Sequence, residues 1–306
     1  MNTHPTTRRS WSHKSVRALI RSEGGGDPIE IIRAKSRSVV RWAKNLGWQG
    51  PPYDPLKLAS LRGIRSKQSD GLFSAEAQLT PMDGEQLLLE FNPNRAPCRK
   101  NFSISHELVH TFFDDCFEMV HHRKSNPKAF DPQHEVEQLC QAGAAEILIP
   151  QDDFLLDLER LSRSLSIVPE LCERYQASRE AVARRILTFS RKPAALVFLS
   201  RRLKPVEKRL GSGGDPSLVP KLRILYSVPT LDFPVYLPAH KSAPDDSCVY
   251  AATLLGGISS GREQWNISGL GPCSVEAITL SVPETAGEDC PSVIALLTPD
   301  EGYYRR

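Results

Sequence analysis

Apolar residues recur at helical spacing between Ile29 and Leu46, at Ile29, Ile32, Ala34, Val39, Val40 and Ala43, which predicts an amphipathic helix. A Pro-rich turn follows, Gly47-Trp-Gln-Gly-Pro-Pro-Tyr-Asp-Pro55, and then Leu56–Ile64, a short helix that Gly63 closes. Gln86-Leu-Leu-Leu-Glu-Phe-Asn92 reads as a strand, with a Pro/Asn/Arg turn from Pro93 to Arg99 behind it. The next segment is helical, with Ser103 or Ser105 as its N-cap and Asp114-Asp115 where its regular pattern stops. Leu108, Val109, Phe112 and Phe113 form its core-facing stripe. A second helix runs from Asp131 to Glu146 and ends before Pro150. Leu139, Ala142, Ala145 and Ile149 fit its buried face, and the Ala142-Gly-Ala-Ala run allows close approach to another helix.

Beyond Pro150 the pattern stays helical for some forty residues. Asp152-Asp153 cap a helix from Phe154 to Leu165, and Val168–Tyr175 follows. The turn Gln176-Ala-Ser178 leads to Arg179–Leu187, so the pair resembles a helix-turn-helix. Its second helix offers Arg179, Arg184 and Arg185 to phosphates or bases. From Ala194 the pattern turns β-rich. Strands are expected at Ala194–Leu199, Arg223–Val228, Val249–Leu255, Val275–Val282 and Ser292–Thr298, with Arg201–Gly214 as an exposed loop. The class is α+β. Residues 1–28 are polar, basic and Gly-rich, and read as a disordered arm.

The chemistry lies in Ser103-Ile-Ser-His106-Glu107-Leu-Val-His110, an H-E-x-x-H motif within the first of the two helices. On a helix His106 and His110 stand one turn apart on one face, close enough to share a metal ion. Glu107 projects beside them, where it can take a proton from a metal-activated water. A catalytic zinc takes three protein ligands and keeps one position open. The pattern H-E-x-x-H-x-x-G-x-x-H is excluded, because Phe113 and Cys116 occupy its last two positions. A Glu on the later helix is the other source of a third ligand. Glu135, Glu137 and Glu146 all qualify by position.

Asn101-Phe-Ser-Ile-Ser-His106-Glu107-Leu-Val-His110, followed by Glu137-Gln-Leu-Cys140-Gln141-Ala-Gly-Ala144-Ala145-Glu-Ile-Leu148-Ile-Pro150, resembles the ImmA/IrrE metallopeptidases, most closely their IrrE-like branch. The resemblance implies Glu137 as third ligand, with Glu107 as general base and zinc, or manganese, as the metal. It departs at Asn101, where Arg is common, and at Gln141 in place of Asn; neither change removes a ligand or the base. It further implies a zincin-like metallopeptidase domain over residues 29–150, a helix-turn-helix-like segment over 151–192 and a GAF-like sensor domain over 193–306. The implied activity is site-specific cleavage of a helix-turn-helix repressor, which derepresses a radiation or desiccation response. Two alternatives stand beside it. One is a DNA-binding transcriptional activator with a vestigial peptidase site. The other is a regulatory protease of a mobile element or toxin–antitoxin system.

Composition narrows the setting. The 306 residues suffice for two or three domains, and no apolar run approaches a membrane span or the core of a signal peptide. Seven cysteines, an odd number without CxxC pairing, argue for reduced thiols and a cytoplasmic protein. A net charge of +3 is too small to imply nucleic-acid binding by itself.

Overall fold

The computed structural model describes residues 11–71, 75–84, 86–117, 121–124, 134–210, 219–255, 257–280 and 290–300. The chain divides into two compact units, residues 1–154 with 173–178 and residues 155–172 with 179–306. Both mix helices and sheet, so the α+β class stands.

In chain order the first unit carries α1 (Lys14–Ser22), α2 (Pro28–Asn45), α3 (Pro55–Leu61), β1 (Arg65–Gln68), β2 (Ala75–Met82), β3 (Gln86–Phe91), α4 (Pro97–His110), β4 (His121–Lys124) and α5 (His134–Leu148). Its sheet has the order β1-β3-β2-β4, with β1 parallel to β3 and the other pairs antiparallel. Local chemistry sets the helix ends. Asp27 and Asp54 accept hydrogen bonds from the amides of Ile29 and Leu56, and a proline starts each of α2 and α3. Gly63, at φ +73°, supplies the left-handed residue beyond α3. In β3 the alternation buries Leu87, Leu89 and Phe91.

Three expectations for this unit need correction. Lys14–Ser22 is a helix and not part of a disordered arm; Val16 and Leu19 sit one turn apart in its sequence and both are buried. Residues 1–10 lie outside the described residues. Next, α4 begins at Pro97, with Ala96 ahead of it making no side-chain cap bond, so the end of the expected turn is already helical. Proline is preorganised for the first helical position. Ser103 and Ser105 are therefore interior and buried, and the Ser103 hydroxyl lies 2.9 Å from both the Arg99 carbonyl and the Glu76 carboxylate. Finally, α5 buries Val136, Leu139, Cys140, Gly143, Ala144 and Ile147, while Ala142 is only half-buried. The close approach is real. A Cβ on Gly143 would lie 2.7 Å from Val109 Cγ2 and 2.9 Å from Ile32 Cγ2, so the missing methyl lets three helices meet.

The chain continues with α6 (Gln151–Arg160), α7 (Val168–Tyr175), α8 (Arg179–Thr188), β5 (Ala195–Arg202), α9 (Pro205–Leu210), β6 (Lys221–Pro229), α10 (Cys248–Leu255), β7 (Ile258–Glu263), β8 (Cys273–Thr279) and β9 (Val293–Pro299). The strands of the second unit form one antiparallel sheet, β6-β5-β9-β8-β7. Val197, Ile224, Val249, Trp265, Val275 and Ala295 belong to its core, and α10 packs on β7 and β8.

Here the expected strand Val249–Leu255 is the helix α10, and β7 replaces it in the sheet. A short apolar run has no periodicity that separates a strand from a buried helix. The Ser247 hydroxyl accepts from the Val249 amide at 3.1 Å, a local bond that favours a helical start. The expected loop from Arg201 also holds a short helix, α9; residues 211–218 lie outside the described residues. No described helix is long and apolar enough to cross a membrane.

Candidate metal centre

Helix α4 packs against both α5 and β2, which fixes its inner face. Near its N-terminus Glu76 of β2 receives the Ser103 hydroxyl and pairs with Arg99. At its other end the Leu108 carbonyl accepts from the Thr111 hydroxyl at 2.6 Å and from Arg62 at 3.3 Å, satisfying an oxygen that the helix leaves over. On this braced helix His106 and His110 lie one turn apart, ring centroids 5.2 Å from each other, and both are buried. Glu107 between them is also fully buried.

Helix α5 supplies the facing groups. Glu137 Oε2 lies 3.0 Å from His106 Nε2, and Glu137 Oε1 lies 3.5 Å from His110 Nε2. The three carboxylates proposed for the third position thus go to different places. Glu135 receives the backbone amides of Ser12 and His13 and the Ser12 hydroxyl, at 2.8 to 3.0 Å. Glu146 is buried, accepts the Gln151 amide at 2.9 Å and faces Arg37 at 3.8 Å. Glu137 is the one set against both histidines.

Cys140, one turn beyond Glu137, enters the same cluster. Its sulfur and one ring nitrogen of each of His106 and His110 all lie within 4.8 Å of one another, and all three residues are buried. Sequence reasoning treated this cysteine only as a motif position. The signal that would have found it is the i, i+3 spacing of Glu137 and Cys140, which puts both on one helix face.

The charge states suit a cation. Burial alone would raise the Glu137 pKa, but hydrogen bonding to His106 and His110 holds it well below the usual carboxylate range, so it stays ionised. Burial pushes the His110 pKa down, with Glu137 opposing, and a neutral imidazole keeps a lone pair for a metal. Burial, with the charges of Glu137, Glu107 and Asp115, pushes the Cys140 thiol well up. His106 Nδ1 is buried with no hydrogen-bond partner among the described residues. Two imidazoles and a carboxylate converging out of water fit zinc chemistry, and the Cys140 sulfur beside both histidines would become a donor only on losing its proton.

The arginines of the helix-turn-helix-like segment are engaged inside the second unit. Arg179 donates to the Thr279 carbonyl at 2.6 Å. Arg184 donates to Glu180 at 2.9 Å and lies over the Phe198 ring, 4.8 Å from its centroid. Arg185 is buried, its guanidinium over Phe189.

Residues 68–187 match the family Peptidase_M78, described as the IrrE N-terminal-like domain, a span that holds α4, α5 and every residue of the cluster. Among solved structures the chain is similar to a Mycobacterium tuberculosis transcriptional regulator, at 15% identity and a TM-score of 0.55, over 93% of this chain and 80% of that one. At that identity the likeness is one of fold. No curated protein matches the chain.

Proposed function

We propose that the IrrE N-terminal-like domain of this chain is a zinc-dependent, site-specific endopeptidase whose substrate is a helix-turn-helix transcriptional repressor. The observation that carries this reading is the convergence of His106, His110 and Glu137 beside the buried Glu107. The M78 match over the same residues supports it.

His106 and His110 would hold the metal from α4, and Glu137 would hold it from α5. Zinc when bound lowers the pKa of water to about 7 and polarises a carbonyl. Two histidines and one glutamate also accept manganese. Glu107 takes the proton of the attacking water and returns it to the leaving amine. Its burial keeps bulk water from that proton. The strand β4 stands at the end of the sheet order, and α4 packs against it. An extended segment of the repressor pairing with β4 would lie beside α4.

Cleavage derepresses a stress response, in the IrrE-like branch the answer to radiation and desiccation. The antiparallel sheet of the second unit serves as a GAF-like sensor. Cysteines that are all unpaired agree with a cytoplasmic setting. The engagement of Arg179, Arg184 and Arg185 within their own unit weighs against direct DNA reading by α8. Zinc-loaded protein incubated with a candidate helix-turn-helix repressor from the same genome should cut that repressor at one site. The Glu107→Gln variant should keep its zinc and cut nothing. Cleavage that survives in this variant overturns the mechanism.

A further inference from the structure

We infer that Cys140 is a fourth ligand of the metal centre, so that the resting protein holds its metal closed by sulfur. The inference rests on the metal reading above and adds to it a control on when the site can work. Helix α5 presents Glu137 and Cys140 one turn apart on one face. Glu137 reaches the histidines from the side of the cluster that solvent touches, its side chain 16% exposed. Cys140 reaches them from inside, with no exposed surface, within 4.8 Å of a nitrogen of each. Two imidazoles, a carboxylate and a sulfur are four protein donors. A four-coordinate zinc surrounded by four protein donors is a closed site, whereas a hydrolytic one keeps a position for water. Catalysis then requires the arriving substrate to displace Cys140, so the zinc-loaded protein would be closed only until its substrate binds.

Cys140 gives its thiol proton to water as its sulfur binds, and takes a proton back as it leaves; no electron is transferred. A thiolate also decides between metals. Two histidines and a glutamate tolerate manganese, but a sulfur ligand favours zinc over manganese. Helix α5 would therefore both disfavour manganese and keep the centre closed.

The test reads ligation directly on the full-length chain. Loaded with cobalt(II) alone, the wild type should show visible ligand-field bands of a tetrahedral site together with a near-ultraviolet sulfur-to-cobalt charge-transfer band. Cys140→Ala and Cys140→Ser should keep the ligand-field bands and lose the charge-transfer band. In the zinc form, X-ray absorption of the wild type should contain one sulfur at about 2.3 Å, absent from both variants. Ligand-field bands without a sulfur band in the wild type overturn the inference and leave the three-ligand site standing. A sulfur band that persists in both variants overturns it too, since another cysteine is then the donor. A wild type that shows no cobalt bands at all removes the metal site and this inference together. Should both variants misfold, the sulfur shell of the wild-type zinc form decides: its absence overturns the inference.

Discussion

The two units bury charge in different ways. In the first, Asn101, Ser103, Ser105, His106, Glu107 and His110 are all buried, and all lie on α4. In the second, the sheet and α10 enclose an almost wholly apolar core, and its buried charge is closed off by partners. Arg223 there donates to Glu207 at 3.0 Å, to the Arg202 carbonyl at 3.1 Å and to the His240 carbonyl at 3.3 Å. Taking a charged group out of water is costly unless it is paired. Unit two spends its pairing on stability. Unit one pairs Glu76 and Glu146 in the same way, but it also gathers His106, Glu107 and His110 beside Glu137, where a cation is a partner that suits them.

Mutation can break this contrast, and the largest effect belongs to the first unit. Glu107→Gln should lower cleavage by about 100- to 10,000-fold, the usual contribution of a general base, while thermal unfolding of the metal-free protein stays level or rises. A large fall in its melting temperature would show that Glu107 serves the fold. Trp265→Ala, in the apolar core of the second unit, should cost about 3–5 kcal/mol in denaturant unfolding and leave bound zinc per chain unchanged. A parallel loss of zinc would show that the two units do not keep their roles apart. Gly143→Ala should cost about 1–3 kcal/mol by overpacking against Val109 and Ile32, and should weaken metal retention by shifting α5 against α4. Unchanged metal affinity in that variant would separate helix packing from site geometry. Arg262→Ala removes an exposed pair with Asp300 on the second unit and should change stability by no more than about 0.5 kcal/mol, read in the same titration.

How much of this was legible in the sequence varies with the physics. His106, Glu107 and His110 could be read at once, since an i, i+4 pair on a helix must share a face. Glu137 could not be separated from Glu135 and Glu146 by position, because carboxylates on one helix look alike until their partners are known; the family resemblance pointed to it, and the structure brings it to both histidines. The helical start at Pro97 was hidden behind two serines that resemble caps but bond backward into the helix and to β2. The run Val249–Leu255 was misread because its apolar residues satisfy strand and helix alike, and only the pairing of β7 with β8 decides between them. Helix α1 was overlooked because its two buried residues, Val16 and Leu19, stand among basic and polar neighbours that dominate the composition.

The grip of the chain's early residues on Glu135 has a mechanical meaning. Ser12 and His13 hold a carboxylate 123 and 122 positions away, two residues ahead of Glu137, and Ser15 holds Asp115 just past the end of α4. The polypeptide is thereby tied into a long loop whose knot lies at the rim of the centre. The bonds to Glu135 link Ser12 and His13 directly to the helix that carries Glu137 and Cys140, without passing through the sheet. A change in the hold of Ser12 and His13 on Glu135 would therefore be felt first by the helix that faces the two histidines.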